Sequence, residues 1–148
     1  MNTMSSPLFL ASLSILLTMG ALAYSFRQGQ GSQLSRKGLI LTVGPGVLML
    51  VAFYSLAMHM NSQLGGWPNS IGDHGLPQQV IMHADIAQGF FGVILLAALA
   101  MPLIIGAFAL APNLRAKLVY PALCGSACWL CLFLTAVAPS GFLNWWWD

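Results

Sequence analysis

The sequence predicts an all-α integral membrane protein, a bundle of four transmembrane helices, and three observations support this fold class. Of its 148 residues, 58% are hydrophobic and only 5% are charged, whereas a soluble domain carries roughly 25% charged residues. Four stretches contain the ~20 apolar residues that are needed to cross a ~30 Å hydrocarbon core. They lack the alternation of barrel strands, and lipid-facing backbone must satisfy its own hydrogen bonds, so we expect helices.

The first two predicted helices, 7–26 and 38–60, stay free of Lys, Arg, Asp and Glu. No Lys or Arg precedes Arg27, so the positively charged region of a secretory signal peptide is missing. We therefore expect the first segment to be a retained helix. The polar connector that follows it is too short to form a domain.

The third predicted helix, 77–111, begins at Pro77, whose missing N–H costs nothing in a first turn. The fourth, 118–138, ends before a Trp-rich tail (Trp145, Trp146 and Trp147) that suits the headgroup level of a bilayer. Loop 61–76 is longer than the usual connection of roughly two to eight residues between bundled helices. Residues 1–148 are thus predicted to form one domain with one long loop, and long ordered loops often carry function.

All five basic residues fall in two loops on the same side of the predicted bundle: Arg27, Arg36, Lys37, Arg115 and Lys117. The positive-inside rule predicts that these loops are cytoplasmic and that both termini and loop 61–76 lie on the outer side. We expect the bacterial cytoplasmic (inner) membrane as the location. The low content of charge excludes both intrinsic disorder and a nucleic-acid-binding surface.

The best candidates for a cofactor site are His59 and His83, near the ends of helices two and three. The connecting loop makes these two helices neighbours. Neutral imidazole combined with thioether sulfur favours copper, and a b-type haem could take the two histidines as axial ligands. Methionines adjoin both histidines: Met58, Met60 and Met82. His74 and Asp73 in the loop are further candidate metal ligands.

A polar and small-residue stripe follows helix three at helical spacing: Asp85, Gln88, Gly89 and Gly92. We expect this stripe to face other helices rather than lipid. Two interpretations are open, a lipid or quinone headgroup pocket at the outer interface, or an interhelical hydrogen bond between closely packed helices. The second is the favoured one.

Cys124, Cys128 and Cys131 lie in helix four, in the predicted hydrocarbon zone, where a thiol behaves as a small apolar side chain. The Cys-x-x-Cys spacing within this group would suit a disulfide relay, but the outer loop holds no further cysteine for one. We therefore predict that the cysteines of helix four, like Gly89 and Gly92 of helix three, form helix-packing surfaces.

The sequence contains no Glu, no phosphate-binding loop with a Lys and no nucleophile elbow, so an enzyme is the less favoured class. With so few polar atoms and so little mass outside the bilayer, we expect a non-catalytic subunit or scaffold. It would associate with itself or with other membrane protein subunits. The alternatives are a redox or metal-handling protein that binds copper or haem b through His59 and His83, and a protein with a lipid or quinone pocket.

Overall fold

The computed structural model describes residues 5–67 and 76–147, and within these ranges the chain is helical, with no strand. The five α-helices are α1 (Ser5–Arg27), α2 (Arg36–Leu64), α3 (Gln78–Leu110), α4 (Val119–Thr135) and α5 (Ser140–Trp147). Short 3-10 turns at Gln30–Gln33 and Arg115–Lys117 lie in the connections α1–α2 and α3–α4. Four helical segments are long and apolar enough to cross a membrane, which confirms the predicted count.

Local chemistry explains where α2 begins and ends. The Ser35 hydroxyl accepts a hydrogen bond from the Gly38 amide at 3.0 Å, which satisfies one of the free donors of the first turn. At the other end Gly65 adopts φ 66°, the left-handed conformation that commonly terminates helices. The predicted end at residue 60 is therefore too early, because residues 61–64 continue the helix.

Helix α4 occupies the centre of the bundle. It packs against α1, α2 and α3, and α3 likewise packs against the other three, whereas α1 and α2 do not pack along each other. The cross-section is therefore a diamond with α3 and α4 on its short diagonal. Half of the most apolar stretch of α4 is buried (50%), compared with 17% for α1, 22% for α2 and 17% for α3.

One hydrogen-bonded chain crosses the apolar interior between three helices. Trp129 Nε1 of α4 donates to Ser14 Oγ of α1 at 3.1 Å, and Ser14 Oγ donates to the Ala98 carbonyl of α3 at 2.8 Å. All three residues are buried. Because the Trp129 indole, the Ser14 hydroxyl and the Ala98 carbonyl each have a partner, this series of hydrogen bonds joins the helices without leaving any of the three groups unsatisfied in the apolar interior.

Small residues allow α4 to approach its neighbours closely. A Cβ added to Gly46 of α2 would stand 2.9 Å from Cys131 Sγ, and one added to Gly125 of α4 would stand 2.6 Å from Thr18 Cγ2 of α1. Cys128 and Cys131 are buried and Cys124 is half-buried. The cysteine side of α4 is therefore enclosed within the chain.

Gly89 and Gly92 do not take part in the packing within this chain, and their role as a helix-packing surface toward another subunit stays a prediction. A Cβ added at either glycine would meet no other heavy atom within 4 Å, and Gly89 is exposed together with Asp85 and Gln88. The buried face of α3 instead follows Ala84, Ala87, Ile94 and Ala98. The glycine stripe is offset from that face by about one residue, or about 100° around the helix, and so it points away from the bundle.

The Trp-rich C-terminal tail forms helix α5, and the aromatic side chains of this helix pack onto α2 and α3. Phe142 is fully buried, with its ring centroid 5.1 Å from that of Phe53, and Trp146 packs at 4.9 Å from Phe53 and 5.6 Å from Phe91. Gly141 leaves room for Trp67, because a Cβ added at Gly141 would stand only 2.7 Å from the Cβ of Trp67. We call this group the aromatic cap: Phe53, Trp67, Phe91, Phe142, Trp145 and Trp146.

Candidate functional site

Helices α2 and α3 bring His59 and His83 together, at the end of the bundle opposite the two basic connections. Their Nδ1 atoms are 3.2 Å apart, and the ring centroids are 5.4 Å apart with a 40° angle between the planes. The Tyr54 hydroxyl donates to the carbonyl of Leu134, close to the end of α4 at Thr135, so α2 continues past the end of α4. The histidine pair lies on this extension of the α2–α3 hairpin.

Ser55 of α2 is the third polar side chain of this cluster, and its hydroxyl contacts His83. The Ser55 hydroxyl donates to the Ala52 carbonyl at 3.0 Å, and its Oγ lies 3.1 Å from His83 Nε2. When the one hydroxyl hydrogen is donated to Ala52, Oγ accepts from Nε2–H of His83. In a neutral His83 the Nδ1 atom then carries a lone pair, and it accepts a hydrogen bond from His59 Nδ1–H.

This arrangement is typical of a histidine prepared to bind a metal ion. Histidines that ligate a metal usually donate their other ring N–H to a neighbouring oxygen, which fixes the tautomer and the orientation of the ring. His83 makes that hydrogen bond to Ser55, and both rings are only half-buried, so the shared side of the pair remains accessible. The two Nδ1 atoms therefore lie close together on an accessible side of the pair.

The direct contact of the rings bears on the haem hypothesis. Axial ligands stand on opposite faces of the macrocycle. Nitrogen atoms 3.2 Å apart leave no space for a macrocycle between them. The observed geometry thus favours a single metal ion over a haem held by both histidines.

The other predicted ligands are distributed differently. His74 and Asp73 lie outside the described residues. Met60 is buried in the core, whereas Met58 and Met82 are 73% and 57% exposed. In the described ranges, no group of three or more His, Cys, Asp or Glu side chains could hold a metal ion. Of the predicted metal ligands, the described part of the chain therefore brings together the imidazoles of His59 and His83.

The opposite end of the bundle is tied together by polar side chains of the two basic connections. Gln30 donates through Nε2 to the Arg115 carbonyl at 3.0 Å and accepts at Oε1 from the Val119 amide at 3.2 Å. The Tyr120 hydroxyl donates to the Gln33 carbonyl at 3.1 Å. The two connections therefore lie side by side, and the basic residues flank this one end.

Two features of the sites were missed by the sequence analysis. Ser55 precedes His59 by four residues, and this i, i+4 spacing on one helix face is a signal that could have identified it. The lipid or quinone headgroup pocket, the less favoured interpretation of the Asp85 stripe, stays a prediction. The second missed feature is a cavity at the basic end, between α1 and α3. No sequence signal marks that cavity, since it depends on how the helices cross.

Comparisons of the chain with models of protein families, with curated proteins and with solved structures find no match.

Proposed function

We propose that the protein is a metal-binding protein of the membrane, which holds a transition-metal ion, preferably copper, between Nδ1 of His59 and Nδ1 of His83. The observation that carries this proposal is the 3.2 Å separation of the two atoms. Two nitrogen ligands about 2.0–2.1 Å from an ion lie about 2.8–3.0 Å apart at the 90° angle of the square-planar geometry that Cu²⁺ favours, and about 3.3–3.4 Å apart at a tetrahedral angle. The observed separation lies between these two values. To accept an ion, the pair would exchange its hydrogen bond for metal ligation: the His59 proton would move from Nδ1 to Nε2, and both rings would turn so that their Nδ1 lone pairs point at the ion.

The ligand chemistry supports copper. Imidazole nitrogen suits Zn²⁺, Cu²⁺, Fe²⁺ and Ni²⁺, and among divalent first-row ions Cu²⁺ binds such sites most tightly. The buried position of Met60 argues for nitrogen rather than thioether ligation, and so for Cu²⁺ over the Cu⁺ suggested by the sequence. The remaining ligands would be water or the loop residues His74 and Asp73.

The distribution of charge supports an orientation. All five basic residues are in the two connections at one end, and the positive-inside rule assigns that end to the cytoplasm. On this proposal the histidine pair and both termini face the outer side of a bacterial inner membrane, where the protein would bind ions before they reach the cytoplasm.

The role of non-catalytic subunit or scaffold stays a prediction. The apolar side chains exposed on α1, α2 and α3 are those expected on any lipid-facing surface, so they do not favour a protein partner over lipid. A subunit role requires that replacing both histidines leaves assembly unchanged. The metal-binding role requires that the same replacement abolishes a bound ion.

Metal titration of the protein purified in mild detergent tests the proposal. Equilibrium dialysis against Cu²⁺ and Zn²⁺ should show one ion per chain, and the electron paramagnetic resonance spectrum of the Cu²⁺ form should show at least two coupled nitrogens. His59→Ala and His83→Ala should each weaken binding by more than about 100-fold, beyond the 10–100-fold effect of outer-shell changes. Gln88→Ala, an exposed change on α3, is the matched control.

Two results would overturn the proposal. One is the lack of saturable binding of either ion at one per chain. The other is a double variant, His59→Ala with His83→Ala, that binds copper like the Gln88→Ala control.

A further inference from the structure

A cavity of about 710 Å³ opens between α1, α3 and the two connections at the basic end of the bundle. Its walls are apolar, formed by Leu17 and Gly20 of α1 and Ile105 of α3, and its rim carries Tyr24, Gln28 and Arg115. This volume lies within the range of about 300–1,000 Å³ that is typical of sites for small ligands. The cavity therefore combines an apolar wall with a polar rim, as expected of a site for a lipid.

The polar groups at the rim are held in place and free to bind. Arg115 Nε donates to the Ala109 carbonyl at 2.6 Å, which fixes the guanidinium plane, and the terminal Nη atoms have no hydrogen-bond partner among the described residues. The neighbouring side-chain amide of Gln30 donates to the Arg115 carbonyl and accepts from the Val119 amide. Gln30 is thus structural, and Arg115 supplies the charge of the cavity.

The charged residues around the cavity favour a negatively charged ligand. The five basic residues all belong to or border the connections at this end. Asp85, the only acidic residue in the described ranges, lies near the start of α3, about 38 Å at 1.5 Å per residue from the end of that helix at Leu110, which precedes Arg115 by five residues. No described carboxylate competes for Arg115, so the rim is complementary to an anion.

We propose that this cavity binds an anionic phospholipid, with the phosphate at Arg115 and an acyl chain along α1 at Gly20. Arg pairs with phosphate through two parallel hydrogen bonds, and basic pockets between membrane helices bind anionic headgroups. A Cβ added at Gly20 meets no heavy atom within 4 Å, so the wall leaves an open channel for a chain. This site is separate from the histidine pair and does not depend on it.

Native mass spectrometry with phosphatidylglycerol as the probe tests this site. The protein, released from detergent, is titrated with phosphatidylglycerol, with phosphatidylcholine and with inorganic phosphate, and bound adducts are counted. We expect one retained phosphatidylglycerol per chain, with about tenfold weaker retention of phosphatidylcholine. Arg115→Gln should weaken phosphatidylglycerol retention about tenfold, the equivalent of one charge-assisted pair.

A second variant tests the acyl-chain channel independently of charge. Gly20→Leu should fill the cavity without a clash and reduce retention by at least about tenfold, whereas Gly89→Leu, at an equally open position on α3, should not. Lys117→Gln is the charge control, because Lys117 neighbours Arg115 in the connection but does not line the cavity. Its effect should stay below about twofold.

Three results would overturn the proposal. Equal retention of the two lipids would show that the charge does not select. Unchanged retention in Gly20→Leu would show that the lipid binds elsewhere. Displacement of phosphatidylglycerol by inorganic phosphate alone would identify a site for free anions rather than for a lipid.

Discussion

Trp129 and Ser14 form a hydrogen bond in the interior of the bundle, with 3.1 Å between Nε1 and Oγ. Since Ser14 also donates to Ala98, its loss leaves two buried groups without partners. We expect Ser14→Ala to lower the free energy of unfolding by about 1 kcal/mol, the lower part of the 1–3 kcal/mol range for unsatisfied groups. Thermal unfolding in detergent measures this, with exposed Ser12→Ala as the control. Equal stability of the two variants would contradict the assignment.

The contact between α2 and α4 predicts opposite effects on stability for substitutions at Gly46 and Gly44. Gly46→Ala should destabilise the bundle by about 1–3 kcal/mol, because the new methyl group would press on Cys131 Sγ. Gly44→Ala should be neutral or slightly stabilising, since its Cβ would meet only Ile40 at 3.9 Å and alanine favours helices. Adding Cys131→Ala to Gly46→Ala removes the opposing sulfur and should restore stability. A double variant as unstable as Gly46→Ala alone would argue against this contact.

Ser55 is predicted to tune the affinity of the histidine pair without touching the ion. Ser55→Ala should weaken Cu²⁺ binding by about 10-fold or more, since outer-shell hydrogen bonds to ligand histidines contribute about 10–100-fold. Ser55→Thr, which keeps the hydroxyl, should retain most of the affinity. Ser62→Ala is the control, because Ser62 bonds only to the backbone carbonyl of His59. Equal losses in Ser55→Ala and Ser62→Ala would contradict the proposed role.

The aromatic cap should depend on Phe142 more than on the outermost Trp147. Phe142 is fully buried and Trp147 is 62% exposed. Phe142→Ala should cost about 3–5 kcal/mol locally, and helix α5 should then lose protection against amide hydrogen exchange. Trp147→Ala should leave that protection nearly unchanged. Similar exchange in the two variants would mean that α5 is not held by Phe142.

The transmembrane helices could be predicted from the sequence because the thickness of a bilayer sets their length and their lack of charge. Helix α5 could not be predicted, because eight residues that end in three tryptophans suit an irregular segment at the membrane interface as well as a helix. Its direction follows from contacts with Phe53 and Phe91, which are distant in sequence.

The histidine pair was accessible to sequence reasoning because a loop joins the ends of α2 and α3, so the helices had to be neighbours. The direction in which the stripe of Asp85, Gly89 and Gly92 points could not be predicted in the same way. Spacing shows that residues share one face of a helix, but not which way the helix is rotated. The rotation of α3 is set by Ala84, Ala87 and Ala98, which are small and buried.

The diamond arrangement of the four long helices also constrains how the protein can be made. Helices α1 and α2 leave the ribosome first, and they do not pack along each other. The packing partners of both helices in the first hairpin are therefore synthesised after them. A chain truncated before α3 should leave α1 and α2 without those packing surfaces, and at the proposed membrane location they would remain two separate apolar helices.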